Sequence, residues 1–139
     1  MANPLQRLHE FGQSFWYDNI RRDLLRAGEL DRMVKQDGLR GLTSNPTIFA
    51  KALAHGGDYD SGIQHNWLKP VAEIFLGQMV EDIQGACDVL RPVFDQSGGQ
   101  DGFCSIEVFP ELARDTQGTL TQARMLWTKV ARPNVMVKI

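Results

Sequence analysis

The sequence predicts an α/β fold in which short parallel strands alternate with helices. Four segments are rich in β-branched or aromatic residues, and the stretches between them have helical periodicity. This alternation favours parallel βαβ units. The chain has 139 residues, of which 42% are hydrophobic, a composition that suits a soluble globular protein. Because no repeat or linker-like block divides it, we expect a single domain over residues 1–139.

The predicted elements follow one another in order along the chain. The strands are expected at residues 14–17, 39–43, 102–109 and 134–139. A helix over residues 20–27 is interrupted by Gly28, continues over 29–36 and is ended by Asp37-Gly38. Residues 46–75 predict two or three short helices with a joint at Gly56-Gly57.

Two longer helices are predicted from apolar residues at helical spacing. The first has an apolar stripe made of Met79, Ile83, Ala86, Cys87 and Leu90. It ends near Arg91-Pro92, or is only kinked there, since apolar residues follow the proline. The second begins at Asp115-Thr116 and has a stripe made of Leu120, Ala123, Trp127 and Val130.

Composition argues against several classes of protein. The net charge of −2 offers no basic excess for a nucleic-acid backbone. The apolar runs are far shorter than the roughly 20 residues that a membrane-spanning helix needs. His9 and Glu10 stand where a signal peptide needs an apolar core, so we expect a cytoplasmic protein. Cys87 and Cys104 lack metal or redox spacing and are expected to be reduced and buried, and no motif predicts a metal site.

A polar residue stands at or near the end of each predicted strand. Asp18 follows the first strand, Asn45 the second, Glu107 lies within the third, and Lys138 is near the end of the fourth. In a (β/α)8 barrel the active site is assembled from the carboxyl ends of several parallel strands. Two carboxylates, one amide and one amine would therefore converge at one end of the sheet.

Each of these residues also has a purely structural interpretation. Asp18 is a suitable N-cap for a helix that begins near residue 20. Asn45 before Pro46 is a natural strand-to-helix turn. Glu107 lies either on a solvent-facing edge strand or beside a partner such as Lys138, because an unpaired buried carboxylate is costly. A lysine near a chain end is ordinarily a solvated charge.

Four segments together resemble the transaldolase family, most closely its longer bacterial and plant type, which also occurs fused to glucose-6-phosphate isomerase. They follow the family's order along the chain. These segments are GLTSNPTIF at 41–49, EDIQ at 81–84, DGFCSIEV at 101–108 and RPNVMVKI at 132–139.

The resemblance implies the N-terminal half of a class I aldolase-type (β/α)8 barrel, with about four βα units and extra helices, that ends just after the Schiff-base lysine. It assigns that lysine to Lys138, the acid/base aspartate to Asp18 and a second catalytic carboxylate to Glu107. Asn45, with Thr43 and Ser44, would bind substrate. The family uses neither a metal ion nor an organic cofactor.

The implied activity is that of the pentose phosphate pathway enzyme. It transfers a dihydroxyacetone unit from sedoheptulose 7-phosphate to glyceraldehyde 3-phosphate, giving erythrose 4-phosphate and fructose 6-phosphate. An amine attacks the C2 ketone of the donor, and loss of water leaves an iminium that accepts the electrons of the C3–C4 bond. Burial of Lys138 would favour the neutral amine that this attack requires.

A complete barrel of this kind has about 250 residues and eight strands, whereas this sequence offers four candidate strands. The family's phosphate-binding residues would lie on later strands. Uncovered strand edges at residues 14–17 and 134–139 favour self-association or complementation by a C-terminal half. Two alternatives remain open: a truncated, non-catalytic half-barrel module, and a ketose-phosphate aldolase on the same scaffold.

Overall fold

A computed structural model describes residues 3–55 and 57–139, and within these ranges it contains one parallel sheet of four strands. The strands are adjacent in chain order, β1-β2-β3-β4, and every neighbouring pair is parallel. Their bounds are β1 Phe15–Asp18, β2 Leu39–Thr43, β3 Phe103–Glu107 and β4 Val135–Lys138. The predicted α/β fold with parallel βαβ units is therefore confirmed.

The strands differ from the predicted ones at their ends. β1 includes Asp18, and β3 stops at Glu107 rather than continuing to Phe109. β3 also begins one residue late, because Gly102 adopts a φ of 82°, outside the range of strand backbone. With these bounds, Asp18, Glu107 and Lys138 are each the last residue of a strand.

Helices connect the strands. Their bounds are α1 Pro4–Arg7, α2 Arg22–Arg26, α3 Glu29–Arg32, α4 Pro46–His55, α5 Asp60–His65, α6 Val71–Gln96 and α7 Thr116–Val130. Gly28 separates α2 from α3, and Gly38 ends the π-helical turn Met33–Asp37, as predicted. Both glycines have positive φ. Of the predicted glycine joint, Gly56 lies outside the described residues, and Gly57 begins the short 3-10 turn Gly57–Tyr59.

α6 continues through Pro92 to Gln96, so of the two outcomes left open the end at Arg91-Pro92 is wrong and continuation past the proline is confirmed. The next residue, Val93, is buried, so the turn after the proline stays in contact with the rest of the protein. The ion pair between Arg91 Nε and Asp95 Oδ1, 2.8 Å long, also spans the proline on the exposed face. The predicted apolar stripe of this helix is confirmed, because all five of its residues are buried, Cys87 among them.

α7 is present as predicted, but its apolar stripe is half wrong. Ala123 packs against the core and Val130 is buried, whereas Leu120 and Trp127 are exposed. The face that packs inward is instead Ala123, Leu126 and Val130, at positions i, i+3 and i+7. Leu120 and Trp127 lie to one side of that face. Their helical spacing from Ala123 predicts a shared side of α7 but not which side of α7 packs against the core.

The core lies between α6 and the sheet. Leu42 of β2, Cys104 and Ile106 of β3, and Ile83 and Leu90 of α6 all belong to one buried apolar cluster. The carboxyl ends of these strands carry the polar residues described next. Among the described residues, the helices are all too short or too polar to cross a lipid bilayer.

Candidate active site

A cleft of about 730 Å³ opens at the carboxyl ends of the strands. Asp18, Asn45, Glu107 and Lys138 all line it, as the strand-end pattern predicts. They meet because the strands are parallel and in register: Asp18 lies opposite Thr43, and Glu107 lies opposite Lys138. The cleft therefore combines two carboxylates, an amide and an amine, contributed by three strands and the residue at the start of α4.

Glu107 and Lys138 form an ion pair across the β3–β4 ladder. Lys138 Nζ lies 3.1 Å from Glu107 Oε2, and the side chains are 40% and 27% exposed. The edge-strand interpretation of Glu107 is wrong, because β3 pairs with β2 on one side and β4 on the other. Lys138 is only partly buried, and the Glu107 carboxylate is its ion-pair partner.

Asp18 is held by a neighbouring strand. The hydroxyl of Thr43 donates to Asp18 Oδ1 at 2.6 Å. The N-cap interpretation of Asp18 is wrong, since α2 begins at Arg22 and its N-cap residue is Arg21. This hydrogen bond orients one carboxylate oxygen, and the side chain faces the cleft.

Asn45 has the structural role that its sequence suggests and also lines the cleft. Its Oδ1 accepts a hydrogen bond from the Ile48 backbone N–H at 2.9 Å, which caps the first turn of α4. Pro46 follows at the first position of the helix. The cap holds the Asn45 side-chain amide at the first turn of α4, beside the other cleft residues.

Ser44 lies behind the cleft rather than in it. It is fully buried, and its hydroxyl donates to the Ser105 backbone carbonyl at 2.7 Å. The Ser105 hydroxyl in turn accepts from the Ser44 backbone N–H at 3.3 Å. Of the two hydroxyl residues predicted to bind substrate, Ser44 thus joins β2 to β3, and Thr43 contacts Asp18.

Sequence reasoning missed further residues of the cleft, chiefly Lys51 of α4 and Thr119 of α7. Thr47, Ile48 and Lys51 all line it from α4, and their spacing places them on one side of a helix. That spacing, counted from the Asn45 cap, is a signal that could have identified Lys51. No comparable sequence pattern marks Thr119. Its hydroxyl donates to the Leu112 backbone carbonyl, a contact that only the folded structure shows.

The fold and the cleft define a class of α/β proteins in which the site is assembled at the carboxyl ends of parallel strands. A family model described as "Transaldolase/Fructose-6-phosphate aldolase" matches residues 15–139. The chain belongs to the transaldolase family. The four parallel strands of the described residues are consistent with part of that family's (β/α)8 barrel.

Curated relatives are similar over the whole of this chain. Transaldolase of Thermobifida fusca is 46% identical over 141 residues, covering 100% of this chain and 38% of the relative. Transaldolase of Thiobacillus denitrificans is 45% identical over 139 residues, covering 99% and 39%. Transaldolase 2 of Nostoc sp. is 44% identical over 139 residues, covering 99% and 36%. The chain thus spans little more than a third of the length of the relatives it matches, and corresponds to their N-terminal part.

Proposed function

We propose that this chain provides the catalytic half of a transaldolase site. The reaction transfers a dihydroxyacetone unit from sedoheptulose 7-phosphate to glyceraldehyde 3-phosphate, as in the pentose phosphate pathway of the cytoplasm. The single observation that carries the proposal is the 3.1 Å pair of Lys138 and Glu107 in the same cleft as Asp18 and Asn45. An amine beside a proton acceptor is what Schiff-base formation requires.

Covalent capture of the donor is assigned to Lys138 and Glu107. The neutral amine attacks C2 of the ketose phosphate, and the carbinolamine then loses its C2 oxygen as water. Glu107, at hydrogen-bond distance from Lys138 Nζ, takes one proton from the ammonium form before attack and returns it, directly or through a water molecule, to the C2 hydroxyl as this leaves as water. The other proton of that water moves from the attacking nitrogen to the C2 oxygen as the carbinolamine forms. The resulting iminium is the electron sink, so the scheme needs neither a metal ion nor an organic cofactor.

Carbon–carbon cleavage is assigned to Asp18. Its carboxylate removes the proton of the C4 hydroxyl, C4 becomes an aldehyde, and the electrons of the C3–C4 bond move to the iminium to give an enamine. Transfer is the reverse: the enamine attacks the acceptor aldehyde, and Asp18 returns the proton to its oxygen. The Thr43 hydroxyl, 2.6 Å from Oδ1, orients the carboxylate for this step.

The remaining predicted residues have separate roles in this scheme. The Asn45 amide can donate to a hydroxyl of the covalent three-carbon unit while its oxygen caps α4. Ser44 contributes by joining the strands that carry Asn45 and Glu107. Substrate contact is therefore proposed for Asn45, and a supporting position for Thr43 and Ser44.

The length relationship bears on activity. Within the described sheet, β1 and β4 each pair with a single strand. Met136 of β4 and Ile139, which follows it, are exposed, as is Trp127 of α7, and exposed apolar side chains of this kind are often covered by another protein segment. We infer that full turnover requires a further, C-terminal barrel segment beside these edges, and that copies of residues 1–139 associate through them.

The test is a transfer assay with fructose 6-phosphate and erythrose 4-phosphate, in which sedoheptulose 7-phosphate is measured. The chain is assayed alone and after mixing with the C-terminal part of the Thermobifida fusca relative, with size measured in parallel. Transfer in either sample supports the proposal. A folded complex without transfer would contradict it and would favour a non-catalytic half-barrel module.

The family description favours one second candidate, a fructose-6-phosphate aldolase. The two activities share Lys138 and differ in the fate of the enamine. An aldolase releases free dihydroxyacetone, whereas a transaldolase keeps it bound until an acceptor aldehyde arrives. Measuring dihydroxyacetone with and without erythrose 4-phosphate therefore separates them.

A further inference from the structure

A second group of polar side chains lies outside the cleft, among α2, the 3-10 turn that ends at Tyr59, and α6. Asp82 and Tyr59 are 1% and 2% exposed. The Tyr59 hydroxyl donates to Asp82 Oδ2 at 2.7 Å and accepts from the Arg22 backbone N–H at 3.1 Å. Asp82 belongs to the EDIQ segment, to which the proposed mechanism gives no role.

Arg22 is engaged at every nitrogen of its guanidinium. Nε donates to Asp82 Oδ1 at 2.7 Å, and Nη1 donates to Gln78 Oε1 at 2.8 Å. Nη2 donates to Glu81 Oε2 at 2.9 Å and to the Gln78 backbone carbonyl at 3.3 Å. The same group lies over the Tyr59 ring, 4.6 Å from its centroid.

This group holds the loop that begins at Asp18. Residues 19–21 connect β1 to α2, and Ile20, in the middle of the loop, is buried in the core. Asp18 is tied at one end by Thr43, and Arg22 is tied at the other by both its backbone and its side chain. The loop therefore has little freedom to rotate the strand end that carries the carboxylate.

We propose that Arg22, Tyr59 and Asp82 form a positioning cluster that fixes the β1–α2 loop and, through it, the carboxylate of Asp18. This inference rests on the proposed function, since Asp18 is assigned the cleavage step there. The three residues do not line the main cleft. They act through the backbone of residues 18–22, so their removal affects cleavage more than capture of the sugar.

Burying this cluster costs free energy, because taking a charge pair out of water has a large desolvation penalty. An apolar contact would hold α2 against α6 without that cost. Burial raises the pKa of the Asp82 carboxyl, and the hydrogen bonds from Tyr59 and Arg22 oppose that rise. The two partners therefore stabilise the ionised form of Asp82. Loss of either one loosens the contact between α6 and the loop.

The experiment compares Tyr59→Phe and Asp82→Asn with Asp88→Asn. Tyr59→Phe keeps the ring under Arg22 and removes only the hydroxyl. Asp88 is the matched control, because it is on the same helix and pairs with Arg132 at 2.6 Å, on the side of β4 rather than β1. Each folded variant is incubated with fructose 6-phosphate and borohydride, and the ratio of six-carbon to three-carbon adducts is measured by mass.

We expect Tyr59→Phe and Asp82→Asn to raise that ratio by about tenfold or more, since small displacements of a reacting group slow a reaction strongly. Asp88→Asn should leave it unchanged. If the cluster only stabilised the fold, the variants would lower the folded fraction and the total amount of adduct in parallel. The ratio of six-carbon to three-carbon adducts would then stay as in the unsubstituted chain. An unchanged ratio in folded Tyr59→Phe and Asp82→Asn would overturn the proposal.

Amide hydrogen exchange distinguishes failure of this inference from failure of the proposed function. Tyr59→Phe should speed exchange at residues 19–22 by about tenfold without affecting β4. If neither the unsubstituted chain nor its mixture with the C-terminal part of the Thermobifida fusca relative forms an adduct, the proposed function fails, and exchange alone decides. Unchanged exchange in the loop would then overturn the positioning cluster, and faster exchange confined to the loop would support it.

Discussion

Lys138 Nζ lies 3.1 Å from Glu107 Oε2, across two adjacent strands whose last residues are in register. The pair lines the cleft rather than the apolar core, and both side chains keep contact with solvent. A carboxylate at this distance can receive a proton from the amine before attack and return one when water leaves. The chemistry assigned to Lys138 thus depends on Glu107.

Glu107→Gln should slow Schiff-base formation by about 100-fold, which is at the low end of what a positioned acid/base group contributes. The amide keeps the shape of the side chain but cannot accept the proton of the amine. The rate of adduct formation with fructose 6-phosphate and cyanoborohydride measures the effect. Glu111→Gln, in the nearby turn Pro110–Leu112, is the control and should keep the unsubstituted rate.

Asp18→Asn should block cleavage while leaving capture intact, because an amide cannot remove the C4 hydroxyl proton. Trapping should yield the six-carbon adduct almost exclusively. Thr43→Val should have the same effect in weaker form, about tenfold, because it removes the hydroxyl that donates to Asp18 Oδ1. Equal yields of the three-carbon adduct from Asp18→Asn and the exposed control Asp31→Asn would contradict the assignment.

Two substitutions of Asn45 separate its helix-capping role from its proposed substrate-binding role. Asn45→Asp keeps the oxygen that caps α4 and should leave the free energy of unfolding nearly unchanged, but it loses the amide donor and should weaken substrate binding. Asn45→Ala loses both and should lower the free energy of unfolding by about 1 kcal/mol as well. Urea unfolding and the concentration dependence of adduct formation measure the two effects. Full binding by Asn45→Asp would show that the residue only caps the helix.

Gly102 and Gly98 form a matched pair for stability. Both have positive φ, 82° and 63°. A Cβ at Gly102 would collide with the backbone of Phe94 and Leu90 in α6, whereas one at Gly98 meets open space. Gly98→Ala should lower the free energy of unfolding by about 1 kcal/mol, and Gly102→Ala by about 3 kcal/mol or more. Urea midpoints that fall equally would refute this close approach of β3 to α6.

The features that sequence predicted well are local ones. The alternation of strands and helices, the ends of the helices at Gly28 and Gly38, and the stripe of α6 follow from periodicity and turn chemistry within short windows. The convergence of Asp18, Glu107 and Lys138 followed from one further rule, that carboxyl ends of parallel strands share an edge.

The features that sequence missed depend on distant contacts. Arg22 and Asp82 are 60 positions apart, and Arg22 and Tyr59 are 37 apart, so no local pattern pairs them. Whether Trp127 is buried depends on which elements flank α7, not on its own helix. Ser44 and Thr43 are adjacent in sequence, yet one joins β2 to β3 and the other contacts Asp18.

The most direct test of the central claim is the mass of the intact chain after incubation with fructose 6-phosphate and borohydride, followed by peptide mapping. Lys138→Ala is the control. We expect a reduced three-carbon adduct confined to the peptide that contains Lys138 and absent from the control. An adduct that persists in Lys138→Ala would contradict the assignment of this lysine as the Schiff-base residue, whereas a folded chain that gives no adduct would show that it is catalytically inert on its own.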